Sequence, residues 1–212
     1  RRRHGGGPHG RRRPAGERQR GAGGAVEGVT GTATTPMAVL HSIWLVPPPG
    51  PTRDALAAVV RSHAAPRGEA SFAPHVTLAG AFRATRDAAA GSLAAAAAAI
   101  PAGDMRVNFV RVVAGREYHR WVYLLAEKTG PLCAAAAAAA TAAGVPFDED
   151  AYMPHLSLAY GEGDATAAAA TLTAELAPTL PSLCWAGGEV QVWRTEGGVT
   201  DWALEASMPL AG

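Results

Sequence analysis

The chain has 212 residues, 48% of them apolar, and its formal net charge of +1 is the balance of two unlike parts. Eight arginines lie within the first twenty residues, whereas the sequence from Met37 onward holds 11 basic and 16 acidic residues, a net charge of −5. This length suits one substantial domain, and an acidic domain offers no footprint for duplex nucleic acid. Two cysteines, Cys133 and Cys184, exclude a disulfide framework and predict reduced thiols.

The first 36 residues are rich in Gly, Arg and Pro and nearly lack large apolar side chains. Such a segment cannot bury enough apolar surface to fold, so we expect disorder over residues 1–36. An Arg-rich leader of this kind fits an organellar targeting peptide, non-native sequence ahead of an initiator at Met37 or, with least support, an RNA-binding arm. Residues 37–212 are expected to form a single domain.

The first half of this domain is predicted to fold as strand, helix, strand, helix and hairpin. The hairpin turn is expected at the Ala-Gly-Arg stretch of residues 114–116. The second helix is rich in alanine, a strong helix former that packs thinly. These elements are expected at residues 38–46, 51–65, 74–82, 86–99, 105–113 and 120–127.

The order helix, strand, helix and hairpin then recurs in the second half of the domain. This recurrence predicts an α+β fold of two antiparallel β-rich lobes with outer helices, related by a pseudo-two-fold around a central cleft. The helices are expected at residues 131–143 and 165–176, and the final strands at 189–195 and 202–208. No apolar run is long enough to cross a bilayer, so we expect no membrane association.

A six-residue frame occurs in both halves, as PHVTLA at residues 74–79 and as PHLSLA at residues 154–159. Residues i and i+2 of a strand share a face, so each histidine lies beside a hydroxyl residue while the apolar neighbours point into a core. One such pair is typical of a half-exposed surface strand. Two pairs in register favour a functional site.

The paired frames place two imidazoles and two hydroxyls at the cleft. Two imidazoles facing a common cleft suit phosphodiester cleavage, because one takes a proton from water while the other donates one to the departing alkoxide. His75 and His155 are the candidates for these roles. The hydroxyls of Thr77 and Ser157 can hydrogen-bond the non-bridging phosphate oxygens, where charge gathers in the transition state.

Other chemistries fit the frames less well. A catalytic zinc site needs three protein ligands, and the residues at i+2 are hydroxyls rather than carboxylates or histidines, so we expect neither a metal nor another cofactor. A Ser/His nucleophilic site is disfavoured because Ser157 lies on no Gly-x-Ser-x-Gly turn. Arg120 or Arg83 is positioned to supply a cation, although a surface ion pair is the favoured interpretation for both.

The paired frames, together with Tyr152-Met153 before the second frame and a terminal hairpin that contains tryptophan, resemble the two-histidine (2H) phosphoesterase superfamily. The stretch SIWLVP at residues 42–47 adds a resemblance to its plant-type cyclic phosphodiesterases. The resemblance covers roughly residues 37–210. It implies a bilobal α+β fold and metal-independent hydrolysis of cyclic phosphates.

The resemblance also implies substrates and residue roles. Plant-type members open ADP-ribose 1″,2″-cyclic phosphate to ADP-ribose 1″-phosphate, a step tied to tRNA splicing by-products, and nucleoside 2′,3′-cyclic phosphates to 2′-phosphates. By position, His75 and His155 become the catalytic pair, and Thr77 and Ser157 the phosphate donors. Tyr160 becomes a substrate contact, provided that the strand ends or bulges before it.

Two further aromatic residues are candidate surfaces for stacking a base. For Trp44 a place in the core is favoured, whereas for Tyr118 the site and the surface are equally supported. Two alternative functions stay open, an RNA-end-processing or 2′-5′ RNA ligase-like 2H enzyme and an inactive nucleotide-binding module. We expect a cytoplasmic monomer, or an organellar one if the leader targets it, that acts on small cyclic phosphates without forming a stable nucleic acid complex.

Overall fold

The computed structural model describes residues 37–65, 70–101 and 103–210. The expected disorder of residues 1–36 lies outside the described residues. Within the described ranges the chain forms four α-helices that lie close to the predicted positions. They are α1 (Pro51–Ala64), α2 (Arg86–Ala99), α3 (Gly130–Ala143) and α4 (Thr166–Leu176).

The strands of the described residues pair antiparallel throughout. One sheet has four strands in the order β2-β1-β8-β9, a second has three in the order β4-β5-β6, and β3 pairs with β7 in a two-stranded ribbon. Two antiparallel sheets with helices packed against them confirm the predicted bilobal α+β fold. The strands are β1 (Val39–Val46), β2 (Val76–Ala84), β3 (Arg106–Val107), β4 (Phe109–Glu117), β5 (Arg120–Ala126), β6 (His155–Ala159), β7 (Trp185–Ala186), β8 (Glu189–Arg194) and β9 (Ala203–Pro209).

Each hairpin joins the sheet of the other half of the sequence. The β4–β5 hairpin follows β2 along the chain but pairs with β6, and the β8–β9 hairpin follows β6 but pairs with β1. This exchange leaves β2 and β6, the strands that carry the two frames, at an edge of their sheets. Neither sheet therefore consists of one half of the chain alone.

Threonine side chains cap the N-termini of two helices, and a glycine ends one of them. The Thr85 and Thr129 side chains accept hydrogen bonds from backbone N–H groups in the first turns of α2 and α3, and Gly144 ends α3 with a left-handed φ of 68°. Helices α2 and α3 contact each other. Alanines line their buried faces, at Ala89, Ala96, Ala135, Ala136 and Ala139.

The predicted hairpin turn at residues 114–116 is wrong, because β4 continues to Glu117 and the chain turns at Tyr118 and His119. Gly115 lies inside the strand, where a Cβ would collide with the backbone carbonyl oxygen of Arg120 on β5. The glycine is thus needed for a close approach between two strands. The longer hairpin carries His119 to the mouth of the cleft.

Two further features of the described part bear on the sequence predictions. Cys133 and Cys184 are free thiols, as predicted. Among the described residues, none of the helices combines the length and the apolar character that crossing a bilayer requires.

Candidate active site

One cavity of about 380 Å³ lies where β2 and β6 approach each other, and it is lined by both frames. His75 and Thr77 reach it from the four-stranded sheet, and His155 and Ser157 reach it from the three-stranded sheet. The structure therefore brings together the four residues that the sequence singled out.

The two histidines are held in the same way. Nδ1 of His75 lies 2.6 Å from the carbonyl oxygen of Ala73, and Nδ1 of His155 lies 2.9 Å from that of Met153. A carbonyl oxygen only accepts a hydrogen bond, so Nδ1 carries the proton in each neutral ring. Nε2 is then the nitrogen that is free to accept a proton in the cavity.

An aromatic residue of the neighbouring strand supports each imidazole. The Trp44 indole of β1 stacks on His75 with ring centroids 3.6 Å apart and planes 6° apart. The Tyr123 ring of β5 meets His155 edge-on, at 5.3 Å and 67°. Each aromatic lies opposite the hydroxyl residue of its frame in the strand register, so the approximate two-fold relation extends to the neighbours of the motif strands.

Burial keeps both imidazoles uncharged at neutral pH. His75 is 7% exposed, and the loss of solvent lowers its pKa to about 3 against the opposing hydrogen bond to Ala73. Burial also lowers the pKa of His155, and the Arg120 guanidinium adds to this effect. A phosphate anion bound between the rings would favour protonation of one of them, as an acid–base pair requires.

The two hydroxyls differ in their hydrogen bonds. Ser157 Oγ donates to the backbone carbonyl of His119 at 2.7 Å. The Thr77 hydroxyl lines the cavity and has no hydrogen-bond partner among the described residues. Thr77 is therefore ready to donate to a phosphate oxygen, whereas Ser157 must first turn its hydroxyl away from a carbonyl.

Tyr160 was expected to contact substrate only if the strand ended or bulged before it, and the strand does end there. Strand β6 ends at Ala159, so Tyr160 is released from the alternation of the strand and lines the cavity. Its ring stacks on Phe72, with centroids 3.9 Å apart and planes 10° apart. Burial raises the pKa of the phenol, which therefore stays protonated as a hydrogen-bond donor.

The structure gives Trp44 and Tyr118 positions that do not suit the stacking of a base. Trp44 is 2% exposed and packs against both His75 and Trp193, whose ring centroid lies 4.7 Å away. A base would have to displace His75 to reach its face. Tyr118 is 42% exposed on the β4–β5 turn and is not among the residues that line this cavity.

The two candidate arginines are separated by the structure. Arg120 lines the cavity and is held by Glu117 through two side-chain contacts. Arg83 pairs with Glu196 at 3.4 Å and does not belong to the lining. Of the two, Arg120 is the cation that is placed to meet an anion in the cleft.

An aromatic residue shortly before each frame contacts the other frame or the residue next to it. Phe72, three residues before His75, stacks on Tyr160 just beyond the second frame. Tyr152, three residues before His155, donates its hydroxyl hydrogen bond to the backbone carbonyl of Thr77 at 3.2 Å. These reciprocal contacts tie the two histidine strands together.

Among the cavity residues that the sequence analysis did not single out are two with aromatic rings, His119 and Trp202. His119 lies between the turn expected at residues 114–116 and the strand expected at 120–127, and Trp202 was expected at the first position of the last strand. The structure places His119 in the β4–β5 turn and Trp202 just before β9. No local pattern marks either residue, since their proximity depends on how the two hairpins are exchanged between sheets.

The described residues contain no group of three or more His, Cys, Asp or Glu side chains arranged to hold a metal ion. The titratable groups that line the cavity are the histidines, Glu117, Arg120 and Tyr160. These residues can transfer protons, donate hydrogen bonds from hydroxyl groups and place one guanidinium beside an anion.

Comparisons with known proteins give a family match and structural similarities. The family model of the 2′-5′ RNA ligase superfamily matches residues 44–199, well over half of the chain and both frames. Among solved structures, the chain is similar to Escherichia coli LigT in complex with phosphate, with 14% sequence identity and a TM-score of 0.49. That match covers 83% of this chain and 99% of the other. No curated protein matches the sequence.

Proposed function

The chain belongs to the 2′-5′ RNA ligase superfamily of 2H phosphoesterases, and from this premise we propose that it is a cyclic phosphodiesterase that hydrolyses small nucleotide-derived cyclic phosphates. The substrates proposed are ADP-ribose 1″,2″-cyclic phosphate, opened to the 1″-phosphate, and nucleoside 2′,3′-cyclic phosphates, opened to 2′-phosphates. The observation that carries the proposal is the pair of imidazoles in one cavity, each with Nδ1 bonded to a backbone carbonyl.

In the proposed reaction, water attacks the phosphorus of the cyclic phosphate. One histidine takes a proton from the water at Nε2 as the new P–O bond forms. The bond from phosphorus to one ring oxygen breaks, and the second histidine, protonated at Nε2, gives that oxygen its proton. The product is a phosphate monoester and a free hydroxyl, and a proton exchange with solvent restores the pair.

The environments of the two rings favour one assignment of the roles. His75 is stacked by Trp44 and more deeply desolvated, so it serves as the base that starts uncharged. His155 is half-buried and therefore more easily protonated than His75, so it serves as the acid. The hydroxyl of Thr77 stabilises the charge on a non-bridging oxygen, and Ser157 joins it when its bond to His119 is released.

The size and charge of the site support a small substrate. A cavity of about 380 Å³ suits one nucleotide-sized ligand. The net charge of −5 from Met37 onward provides no basic track for an RNA strand, which disfavours the RNA-end-processing and ligase-like alternatives. The inactive binding module is disfavoured because all four frame residues line the cavity.

The proposal is tested with the full chain in a buffer that contains EDTA. ADP-ribose 1″,2″-cyclic phosphate and uridine 2′,3′-cyclic phosphate are supplied separately, and phosphorus NMR identifies the products. We expect a 1″-phosphate and a 2′-phosphate, respectively. Trimming of an RNA 3′ end without turnover of either small substrate would instead support the RNA-processing alternative. Activity that is lost in EDTA and restored by zinc would overturn the metal-independent mechanism.

A further inference from the structure

The Trp44 indole stacks on a second ring besides His75. Trp193 of β8 packs against it with ring centroids 4.7 Å apart and planes 24° apart. Trp193 is not among the residues that line the cavity. An effect of Trp193 on a reaction in the cavity must therefore pass through Trp44 and His75.

Two restraints on the His75 ring set the direction of its Nε2 atom. The hydrogen bond from Nδ1 to the Ala73 carbonyl, at 2.6 Å, holds one edge of the imidazole. The Trp44 stack, with centroids 3.6 Å apart and planes 6° apart, holds the plane of the ring. A general base must lie within about 2.6–3.2 Å of the group whose proton it takes. A rotation of the imidazole plane would therefore carry Nε2 away from the attacking water.

Hydrogen bonds along β8 fix the Trp193 ring in turn. Residues 189, 191 and 193 share one face of the strand, because side chains alternate between its two faces. The Trp193 indole N–H donates to Gln191 Oε1 at 2.8 Å, and Gln191 Nε2 donates to Glu189 Oε2 at 3.0 Å. Because an ionised carboxylate only accepts hydrogen bonds, the Gln191 amide nitrogen must face Glu189. The amide oxygen is then held toward the indole.

Glu189 is anchored from two other elements. Arg53 of α1 lies 3.0 Å from Glu189 Oε2, and the Ser207 hydroxyl of β9 donates to the same oxygen at 3.2 Å. Partial burial raises the pKa of the Glu189 carboxyl, but the side chains of Arg53, Gln191 and Ser207 lower it by more, so the carboxylate stays ionised at neutral pH. Gln191 is only 5% exposed, which shields its hydrogen bonds from competing water.

We propose that Trp193 is a positioning residue for the hydrolysis, and that Gln191 fixes Trp193 so that Trp44 holds the His75 imidazole in the orientation for proton transfer. This inference rests on the proposed hydrolysis of cyclic phosphates. Neither Trp193 nor Gln191 lines the cavity, so neither contributes to the binding of substrate. Their loss should therefore lower kcat and leave KM nearly unchanged.

The kinetic test uses the full chain and uridine 2′,3′-cyclic phosphate in EDTA. Trp193→Ala removes the ring that packs against Trp44 and should lower kcat roughly 2- to 12-fold, the range to which one aromatic pair corresponds. KM should change less than about twofold, which is within the spread of a substitution outside the binding cavity. Trp193→Phe keeps an aromatic face for Trp44 and should recover most of the lost kcat.

Gln191→Met tests the hydrogen bond to the indole separately. Methionine has a similar length but offers only a weakly accepting thioether, so kcat should fall, though by no more than in Trp193→Ala. In the Trp193→Phe background there is no indole N–H, and Gln191→Met should then have little further effect on kcat. An undiminished loss in that double variant would show that Gln191 does not act through Trp193.

The orientation of His75 can also be measured without a substrate. The ring current of the Trp44 indole shields an imidazole stacked on its face, so the Cε1–H signal of His75 should lie upfield of that of an unstacked histidine in proton NMR. The signal is assigned by its absence from the spectrum of His75→Gln. In Trp193→Ala it should move downfield, toward the unstacked position, whereas in Trp193→Phe it should stay near its wild-type position.

Trp185→Phe is the matched control, because Trp185 is a buried tryptophan that packs against Phe109 and does not line the cavity. It should leave both kcat and the His75 signal unchanged. An unmoved His75 signal in Trp193→Ala, or a loss in that variant that appears in KM rather than in kcat, would overturn the positioning role. An equal loss of kcat in Trp185→Phe would do the same.

Failure of the proposed function would be recognised separately. If the wild-type chain turned over no cyclic phosphate, the hydrolysis would be refuted. The His75 signal would still report whether Trp193 maintains the stack of Trp44 on His75, because that measurement needs no turnover.

Discussion

At the scale of single residues, the hydroxyl groups of Thr77 and Ser157 differ in their hydrogen bonds. The Thr77 hydroxyl faces the cavity without a hydrogen-bond partner in the part of the chain that the structure describes, while Ser157 is bonded to the His119 carbonyl at 2.7 Å. A donor that is already oriented costs no reorganisation when charge develops on the phosphate oxygen. Thr77 is therefore expected to contribute more than Ser157 to transition-state stabilisation.

Removing the Thr77 hydroxyl tests this expectation. Thr77→Val keeps the shape and strand propensity, and it should reduce kcat/KM by a factor that corresponds to roughly 1 to 4 kcal/mol. Thr77→Ser restores the donor and should retain much of the activity. The measurement is steady-state kinetics on uridine 2′,3′-cyclic phosphate, with circular dichroism to check the fold. Unchanged kinetics in Thr77→Val would assign the residue to packing.

At the scale of elements, most helices and strands follow from local patterns, and the exceptions have tertiary causes. The alanine tracts predicted α2 and α3 closely, because helix propensity acts within a few residues. The turn of the β4–β5 hairpin was misplaced because Gly115 is required by a neighbouring carbonyl, which only the paired strand reveals. The bulge around Ala81 of β2, with a φ of 41°, had no local signal either.

Two glycine substitutions give opposite predictions for stability. In Gly115→Ala the new methyl collides with the Arg120 carbonyl, so we expect a loss of about 1 to 3 kcal/mol in the free energy of unfolding. Gly91 lies in helix α2 with nothing within 4 Å of an added Cβ, so Gly91→Ala should gain roughly 0.5 to 1 kcal/mol.

Urea unfolding measures both variants against the wild-type chain. An undisturbed midpoint for Gly115→Ala would show that the β4–β5 hairpin tolerates a wider strand separation than the structure indicates.

At the scale of the whole molecule, the exchange of hairpins between sheets is what assembles the site. The repeated frames predicted two related lobes and the residues that face the cleft. They did not predict which hairpin joins which sheet, because strand pairing across the molecule depends on tertiary packing rather than on local sequence. For that reason His75, Thr77, His155 and Ser157 were found from sequence, whereas His119 and Trp202 were not.

The buried histidines should make the fold sensitive to acid. The unfolded chain protonates His75 near its ordinary pKa of 6.5, while the folded chain does so only near 3, so between these values the unfolded state binds more protons. Stability should therefore fall as the pH drops from about 6.5 toward 3, by at most roughly 1.4 kcal/mol per pH unit from this group. In His75→Gln, thermal melts at pH 7, 6 and 5 should show a shallower decline. An equal decline in both proteins would place His75 in contact with solvent.

The central claim is that His75 and His155, delivered by different sheets, act as one acid–base pair without a metal. The most direct measurement is kcat on uridine 2′,3′-cyclic phosphate in EDTA for wild type, His75→Ala, His155→Ala and the double variant. Each single variant should lose at least ~10²-fold, and the double variant should lose far less than the product of the two losses, because the residues act as a unit. Losses that multiply in the double variant, or a single variant with near wild-type kcat, would contradict the pair.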